Sequence, residues 1–418
     1  MTSIISVISK QRRHGAATLS NEGFSVSIFA VFSQARKATF LVIAFFCAAL
    51  LAACEPVSMT AGGPEIDTSK PVPVALLVPS GSIQPGDSLL AQSLENAARM
   101  AMGDLQGVTI DLRVYDTAGD AATAGVVAAQ AVNDGARIIL GPVYAASANA
   151  AGLAVRGNGI NVLSFSNNPT IAGGNVFVLG PTFLNTAARL TQFAAAQGKG
   201  NMVIVHGTDI AGELGRNAIQ QAAGAAGVKL AGSVPYDLSQ QGVIDATPLI
   251  RETVANSGAN AIFLTSTTAG ALPLLTQLLP ESGVSAATTQ YIGLTRWDIP
   301  AQTLELPGVQ GGWFAMPDPV MAQQYQSRYA AAYGSSPHPI GGLAYDGIAA
   351  IGALVGAGKS DALTGAALTQ GAGFQGVGGI FRLRPNGTNE RGLAIATIQN
   401  KQVVVIDNAP TSFSGAGS

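Results

Sequence analysis

The chain has 418 residues, of which 24 are acidic and 22 basic, so its formal net charge is −2. Only 11% of the residues are charged and 48% are hydrophobic, a balance that excludes intrinsic disorder. Without a basic surplus to neutralise phosphates, the composition argues against a nucleic-acid partner. The chain contains three histidines, which argues against a His-based zinc site or a catalytic triad. Its length suggests about two or three domains.

The N-terminal segment has the features of a secretory signal. Arg36 and Lys37 precede an apolar run over residues 38–50, and Leu-Ala-Ala follows, ending at Cys54. A positive flank, a short apolar stretch and small residues before a cleavage point are typical of such signals. The run is too short to span a bilayer, which requires about 20 residues. Its ending resembles the lipobox of bacterial lipoproteins, which implies cleavage before Cys54 and lipidation of that cysteine. An uncleaved anchor helix or an ordinary apolar stretch is the alternative.

Residues 1–53 are therefore the predicted signal segment ending in a lipobox. Residues 54–71, with three prolines and two glycines, are the predicted tether between lipid and fold. Glu55 follows the cysteine, and the absence of aspartate there leans toward the outer membrane under the enterobacterial sorting rule. We expect a lipid-anchored protein on the periplasmic face of a bacterial membrane, with the outer membrane slightly favoured.

From residue 72 onward, short apolar runs alternate with helical patterns. Residues 72–78 predict a strand, and residues 88–105 predict a helix because their apolar side chains recur at helical spacing. Such alternation is typical of parallel sheets covered by helices on both faces, and the series starts twice. The sequence therefore predicts an α/β fold with two doubly wound βα lobes. The other predicted strands are 108–115, 137–140, 161–164, 202–206, 228–234, 261–265, 290–293, 392–398 and 402–406; the other predicted helices are 121–134, 145–158, 212–226, 247–256, 270–279, 322–333 and 343–355.

The loops that follow the strands hold the candidate binding residues. In doubly wound sheets the ligand lies beyond the carboxyl ends of the strands. These loops carry mostly small hydroxyl and amide side chains, with no nucleophile next to a base. Tyr144 and Trp297 are interpreted either as walls that pack on a solute or as side chains partly buried against a helix. The candidate ligand-binding residues are Ser80, Ser82, Tyr144, Ala145, Ser147, Ser166, Asn167, Thr208, Trp297 and Asp298.

For several other features we favour a structural interpretation. Residues 371–376 match G-x-G-x-x-G but follow no predicted strand, so a flexible loop is favoured over a dinucleotide site. His206 ends a strand and is interpreted as a structural or cleft-lining side chain rather than as a base. Asp116 is interpreted as a helix cap, with the cleft as the alternative, and Asp346 as a residue that starts or orients a helix. Asn386-Gly387 predicts a hairpin turn. No catalytic residue, metal site or cofactor is predicted, and the protein is predicted not to be an enzyme.

Three stretches resemble type I periplasmic binding proteins of the leucine-binding kind. They are IILGP at residues 138–142, QYQSRYAAAYGSSP at 324–337 followed by LAYD, and GIFR at 379–382. The resemblance covers nearly all of residues 72–410. It implies two βα lobes joined by three crossing strands, with a solute held between them, and residues 178–183 and 311–319 resemble two crossings. The implied N-terminal lobe is 72–181 with 318–385, and the implied C-terminal lobe is 182–317 with 386–410.

The expected amino-acid site is only partly recognisable in this chain. Binders of this family usually hold the ligand carboxylate with a serine or threonine after the Gly-Pro of the third strand, where this sequence has Tyr144 and Ala145, with Ser147 slightly displaced. The family often has a threonine after the fourth strand, and this sequence has Ser166-Asn167 at that place. Asp298 is the nearest candidate to meet a ligand ammonium, although Arg296 could neutralise it.

The resemblance implies a non-catalytic receptor that captures a small polar solute of the amino-acid class for ABC-type import. The pattern WDIP followed by GGWFAMPDP is also similar to penicillin-binding protein activator lipoproteins of the same fold. That likeness implies the alternative, regulation of a peptidoglycan synthase by protein contact. The predicted partners are therefore a solute with an ABC permease, or else a synthase, together with the membrane through the lipid anchor.

Overall fold

The computed structural model describes residues 62–413. The predicted signal segment, Cys54 and the first part of the tether lie outside these residues. The described chain contains a five-stranded sheet, a seven-stranded sheet and a three-stranded sheet. The helices divide between them, so that each large sheet is covered on both faces. This arrangement confirms the predicted α/β fold with two lobes.

The first lobe is built on five parallel strands in the order β2-β1-β3-β4-β5. Its strands are β1 (Val72–Val78), β2 (Ile110–Asp116), β3 (Ile138–Leu140), β4 (Val162–Ser164) and β5 (Val176–Val178), and its first helices are α1 (Asp87–Asp104), α2 (Ala121–Asn133) and α3 (Ala145–Val155). β1 pairs with neighbours on both sides, and Val74 to Val78 are all buried. A run buried on both faces explains why this strand is continuously apolar rather than alternating.

The second lobe is built on seven strands in the order β15-β14-β10-β9-β8-β6-β7. Its strands are β6 (Asn201–Gly207), β7 (Lys229–Tyr236), β8 (Ala261–Leu264), β9 (Gln290–Gly293), β10 (Trp313–Met316), β14 (Ala394–Gln399) and β15 (Gln402–Asp407), and its helices are α4 (Phe183–Ala196), α5 (Ile210–Ala226), α6 (Gln240–Ser257) and α7 (Leu272–Glu281). Strands β6 to β10 are parallel, and the β14–β15 hairpin closes the edge in antiparallel pairing. Helices α4 and α5 pack on one face of this sheet, and α6 and α7 pack on the other.

The C-terminal third of the chain returns to the first lobe before it completes the second. Its elements are α8 (Pro319–Tyr333), α9 (Gly342–Gly356), the short α10 (Gly365–Leu368) and the antiparallel strands β11 (Phe374–Gly376), β12 (Gly379–Leu383) and β13 (Asn389–Arg391). Ile348 of α9 and Phe381 of β12 belong to the same buried cluster as Leu76 of β1 and Leu94 of α1. This shared core attaches the small sheet to the first lobe.

The backbone passes between the elements of the two lobes three times, near residues 178–183, 316–319 and 391–394. The first two of these segments overlap residues 178–183 and 311–319. The third lies later than the boundary expected after residue 385, because β13 pairs with β12 before the chain enters β14. Asn386-Gly387 forms the turn of that hairpin, as predicted, with Gly387 at a φ of +79°.

Several elements differ from the sequence predictions, and three of these differences have an identifiable local cause. Helix α4 was not predicted. It begins with a capping box, in which the side chain of Thr182 accepts the backbone N–H of Asn185 and the side chain of Asn185 accepts the backbone N–H of Thr182. Helix α6 begins at Gln240, seven residues before the prediction, because Ser239 Oγ accepts the N–H of Gly242 and caps a polar first turn. Residues 374–376 form strand β11 rather than a flexible loop, because they pair with β12.

Candidate functional site

The carboxyl ends of the first-lobe strands carry a buried carboxylate. Asp87 is the first residue of α1, and its side chain is only 5% exposed. Tyr144, in the loop after β3, donates its hydroxyl to Asp87 Oδ1 at 2.6 Å. This hydrogen bond, together with burial, raises the pKa of Tyr144 to about 12. The other carboxylate oxygen of Asp87, Oδ2, is buried without a hydrogen-bond partner among the described residues.

Gly119, after β2, marks the point on which these side chains converge. It has a φ of +69°, and a Cβ placed on it would lie 3.1 Å from Ser82 Oγ, 3.3 Å from Tyr144 Cε2 and 3.4 Å from Asp87 Oδ2. The structure therefore brings together Ser82 and Tyr144, two predicted site residues from different loops. It adds Asp87, which the sequence analysis missed. The available signal was an acidic residue at the start of the helix that follows the first strand.

The other predicted residues of the first lobe have different surroundings. Ser147 is buried in the first turn of α3, and its Oγ has no partner within residues 62–413. Ser166 is also buried, and its Oγ accepts the N–H of Asn168 at 3.1 Å. Asn167 is exposed, whereas Ser80 and Ala145 are half-buried. Among these predicted first-lobe residues, Ser147 thus offers a buried side-chain hydroxyl without a partner in residues 62–413.

A cavity of about 610 Å³ lies at the carboxyl ends of β6, β7 and β8. Its polar lining includes Tyr236 and Ser266, both buried, and the Oγ of Ser266, a residue that is 3% exposed, has no hydrogen-bond partner in the described part of the chain. Burial and the nearby charge of Asp209 raise the pKa of Tyr236 to about 12, and the neighbouring hydroxyls of Ser266 and Thr265 oppose this shift. The aliphatic part of the lining includes Leu238, Val243 and Leu274. The cavity therefore combines apolar walls with an unpaired hydroxyl, which is the composition of a small-ligand site.

Thr208 and Asp298, the second-lobe residues predicted to hydrogen-bond a ligand, already have protein partners. Thr208 is exposed and donates its hydroxyl to Asp237 Oδ1 at 3.1 Å. Arg296 donates from Nε to Asp298 Oδ1 at 2.8 Å and from Nη2 to Asp298 Oδ2. The internal neutralisation that the sequence allowed is therefore the arrangement present in this structure.

Trp297 lies in the core of the second lobe rather than in the wall of a cleft. Its ring is 0% exposed and belongs to the cluster beneath α6 and α7. A Cβ on Gly293 or on Gly312 would lie 2.1 Å from an atom of the ring, so these two glycines form the slot that admits it. In this conformation the ring presents no face to a solute, which corrects the expectation that it packs on one.

The remaining candidates have structural roles. His206 is buried, with Nδ1 3.3 Å from Glu213 Oε1. Asp120 rather than Asp116 caps α2, because its side chain accepts the N–H of Thr123. Asp346 lies inside α9 rather than at its start, where its carboxylate accepts the N–H of Val377 and pairs with Arg391. No group of three or more His, Cys, Asp or Glu among residues 62–413 could hold a metal ion, and in the same range no helix has the length and apolarity needed to cross a membrane.

A two-lobed α/β fold with a polar-lined cavity at its strand ends is the architecture of a type I periplasmic binding protein. The chain belongs to the periplasmic binding protein family, whose sequence profile matches residues 71–402. No curated protein matches the chain significantly in sequence.

Several solved structures share this fold. A branched-chain amino acid ABC transporter periplasmic ligand-binding protein from Burkholderia xenovorans has a TM-score of 0.61 at 18% identity, covering 82% of this chain and 96% of that one. An ABC transporter substrate-binding protein from Desulfitobacterium hafniense in complex with Leu has a TM-score of 0.58 at 19% identity, covering 81% and 100%. The LpoA C-domain from Haemophilus influenzae, a regulator of PBP1A, has a TM-score of 0.62 at 17% identity, covering 80% and 99%.

Proposed function

We propose that this protein is a non-catalytic, lipid-anchored receptor on the periplasmic face of the membrane. It captures a small polar solute derived from an amino acid and delivers it to an ABC permease. The observation that carries the proposal is the cavity of about 610 Å³ at the carboxyl ends of β6, β7 and β8. Its volume suits a small solute, and the buried, unpartnered hydroxyl of Ser266 needs a hydrogen-bond partner that a ligand can supply.

Three further observations support this proposal. The family consists of periplasmic binding proteins, and one structural relative is in complex with Leu. Leu238, Val243 and Leu274 supply aliphatic walls for an apolar side chain. Ser82, Tyr144 and Asp87 converge at the strand ends of the first lobe, where polar groups of the ligand would be met when the lobes close.

The proposal is tested by calorimetric titration of the purified protein with amino acids and their derivatives. We expect a ligand with an aliphatic side chain to bind, and Ser266→Ala to weaken that binding. Loss of one neutral hydrogen bond costs about 0.5–1.5 kcal/mol, which corresponds to a roughly two- to ten-fold weaker affinity. Ser233→Ala is the matched control, since Ser233 is exposed in β7 and does not line the cavity. If both variants bind the ligand with the affinity of the parent protein, the cavity is not part of the binding site.

The second candidate function is contact with a peptidoglycan synthase. Large aliphatic side chains are exposed in the strand-end regions of both lobes, with Ile83 at 96% and Ile210 at 82% exposure. Contiguous exposed apolar surface marks sites of protein association, and a synthase that contacts both lobes would bury both side chains. The similarity to the LpoA C-domain, a regulator of PBP1A, favours the same candidate.

A pull-down with purified synthases tests this second function. If it holds, Ile83→Ser combined with Ile210→Ser should abolish capture, because the loss of two exposed apolar anchors removes buried contact area. Val126→Ser is the control, since Val126 is exposed on α2, away from the strand ends. Capture by the double variant at the parental level would contradict a synthase interface at this edge.

A further inference from the structure

The ionisable side chains at the strand ends have one sign. Each of the strands β1 to β4 and β6 to β8 is followed by a segment that leads to the next helix or strand. Counted from the last residue of the strand to the first residue of the next element, these segments contain no lysine, arginine or histidine. The same segments contain five aspartates: Asp87, Asp116, Asp120, Asp209 and Asp237. Arg296, after β9, is bound to Asp298 and brings no free positive charge. The charged side chains of these segments are therefore all negative, which favours a cation over an anion as their ligand.

Three of these aspartates already accept hydrogen bonds from the protein. Asp120 and Asp209 cap the helices α2 and α5, and Asp237 accepts from Thr208. Asp87 differs because it is 5% exposed and has one oxygen bound to Tyr144, whereas its other oxygen has no donor among the described residues. Burial of a carboxylate oxygen without a donor is costly, and an ammonium with its three N–H donors would remove that cost.

The geometry of the surroundings indicates from which side that donor comes. Asp87 Oδ2 and Ser82 Oγ both lie within 3.4 Å of the position that a Cβ on Gly119 would occupy. Two oxygen atoms thus flank a space that only glycine leaves open. Tyr144 borders the same space, since its Cε2 would lie 3.3 Å from that Cβ, and its hydroxyl donates to Asp87. A ligand carboxylate placed there would meet Asp87, and the strand-end segments described above supply no cationic side chain to offset the repulsion.

We propose that the ligand of this receptor is a primary amine with an apolar side chain, such as an amino-acid amide, whose ammonium is bound by Asp87 and whose recognition does not require a carboxylate. The proposal rests on the solute-receptor function proposed above and specifies the ligand class. The apolar part of the amine packs in the second-lobe cavity against Leu238, Val243 and Leu274. Tyr144 turns away from Asp87 when the ammonium enters.

A series of three compounds with the same leucine side chain separates the effects of charge. L-leucinamide carries an ammonium only, L-leucine carries an ammonium and a carboxylate, and N-acetyl-L-leucine carries a carboxylate only. Calorimetry on the purified protein at neutral pH and low salt should show leucinamide binding at least as tightly as leucine. N-acetylleucine should bind at least about ten-fold more weakly than leucinamide. If N-acetylleucine equals or exceeds leucinamide, or if leucine exceeds leucinamide by ten-fold, the ligand class is wrong while the receptor function stands.

Asp87→Asn tests the residue itself. Replacement of the carboxylate should weaken the binding of leucinamide about ten- to hundred-fold, because a charge-assisted hydrogen bond becomes a neutral one. Asp245→Asn removes the same charge from an exposed position on α6 and should leave the affinity unchanged. The melting temperature of each variant without ligand separates a folding defect from a binding defect, and the compound series on the parent protein is independent of both variants. Unchanged affinity of a folded Asp87→Asn protein overturns the assignment. If none of the three compounds binds, the proposed receptor function for such solutes fails, and the ligand class fails with it.

Discussion

Arg391, the last residue of β13, forms an ion pair with Asp346, which is buried in α9, at 3.1 Å. The same guanidinium donates from Nε and Nη2 to the carbonyl oxygen of Leu179. Leu179 begins the first crossing between the lobes and Arg391 begins the third. Asn389 reinforces the attachment by donating to the carbonyls of Val178 and Gly180. One buried ion pair therefore holds two of the three crossing segments against α9.

Arg391→Met should destabilise the protein by about 3–5 kcal/mol, because it leaves the buried carboxylate of Asp346 without its counter-charge. The double variant Arg391→Met with Asp346→Leu should recover part of this loss, since no unpaired charge then remains. Urea unfolding of the parent and the two variants measures both effects. A double variant no more stable than Arg391→Met would show that the ion-pair charge is not the cause.

The same pair predicts a pH dependence. Burial raises the pKa of Asp346 above its ordinary value of 3.8, and Arg391 opposes that shift. The folded state then holds its proton more tightly than the unfolded state, so this group's contribution to stability is full at low pH and declines as pH rises through the raised pKa. Removal of Arg391 should raise that pKa further. The stability deficit of Arg391→Met should therefore grow as the pH increases from about 4 toward neutrality, whereas a deficit that shrinks over this range would contradict the mechanism.

Tyr144→Phe should destabilise the first lobe. It removes the hydroxyl that donates to Asp87 and leaves a buried carboxylate with neither oxygen paired, at a cost of about 1–3 kcal/mol. Tyr115→Phe is a close control, because Tyr115 donates to an exposed carboxylate, that of Asp134. Loss of the Tyr115–Asp134 hydrogen bond should change the free energy of unfolding by less than about 1 kcal/mol. Thermal unfolding of both variants compares the two tyrosine–aspartate pairs. Equal changes in melting temperature would mean that the burial of Asp87 does not add to the stability that its hydrogen bond provides.

Gly312→Ala should destabilise the second lobe by about 1–3 kcal/mol or more, because the added methyl enters the space occupied by the Trp297 ring. Trp297 and Trp313 are the two tryptophans of the chain, so tryptophan emission reports on this region. Gly103→Ala is the control, since it lies in α1 with no atom near the added methyl and should be neutral or slightly stabilising. A fully stable Gly312→Ala protein with unchanged emission would exclude the tight slot.

Cys54→Ser tests the anchor. We expect the parent protein to fractionate with membranes and the variant to be released into the soluble periplasmic fraction. One acyl chain binds a bilayer only marginally, so firm attachment should require more than one chain. Mass spectrometry of the mature N-terminus provides the second measurement. Membrane association that is unchanged in Cys54→Ser would leave the uncleaved anchor helix as the explanation.

The sequence by itself determined the α/β class, the two series of strands and helices, and the strand ends as the place for a site. It did so because these features depend on local patterns: a continuously apolar run such as β1 is buried on both faces, and a parallel strand directs its carboxyl end to one edge of the sheet. The Asn386-Gly387 turn was readable for the same reason, since its signal lies within two residues.

Only the tertiary structure decided which side chains meet. Asp87 and Tyr144 are 57 residues apart, and no local pattern states that one hydroxyl reaches the other residue's carboxylate. Trp297 has a strand-end position in sequence, yet two glycines from different segments create a slot that buries its ring. Asp346 and Arg391 pair because α9 and β13 pack in one core. Such contacts arise from the packing of elements distant in sequence, so they follow from the assembled fold rather than from any single stretch of the chain.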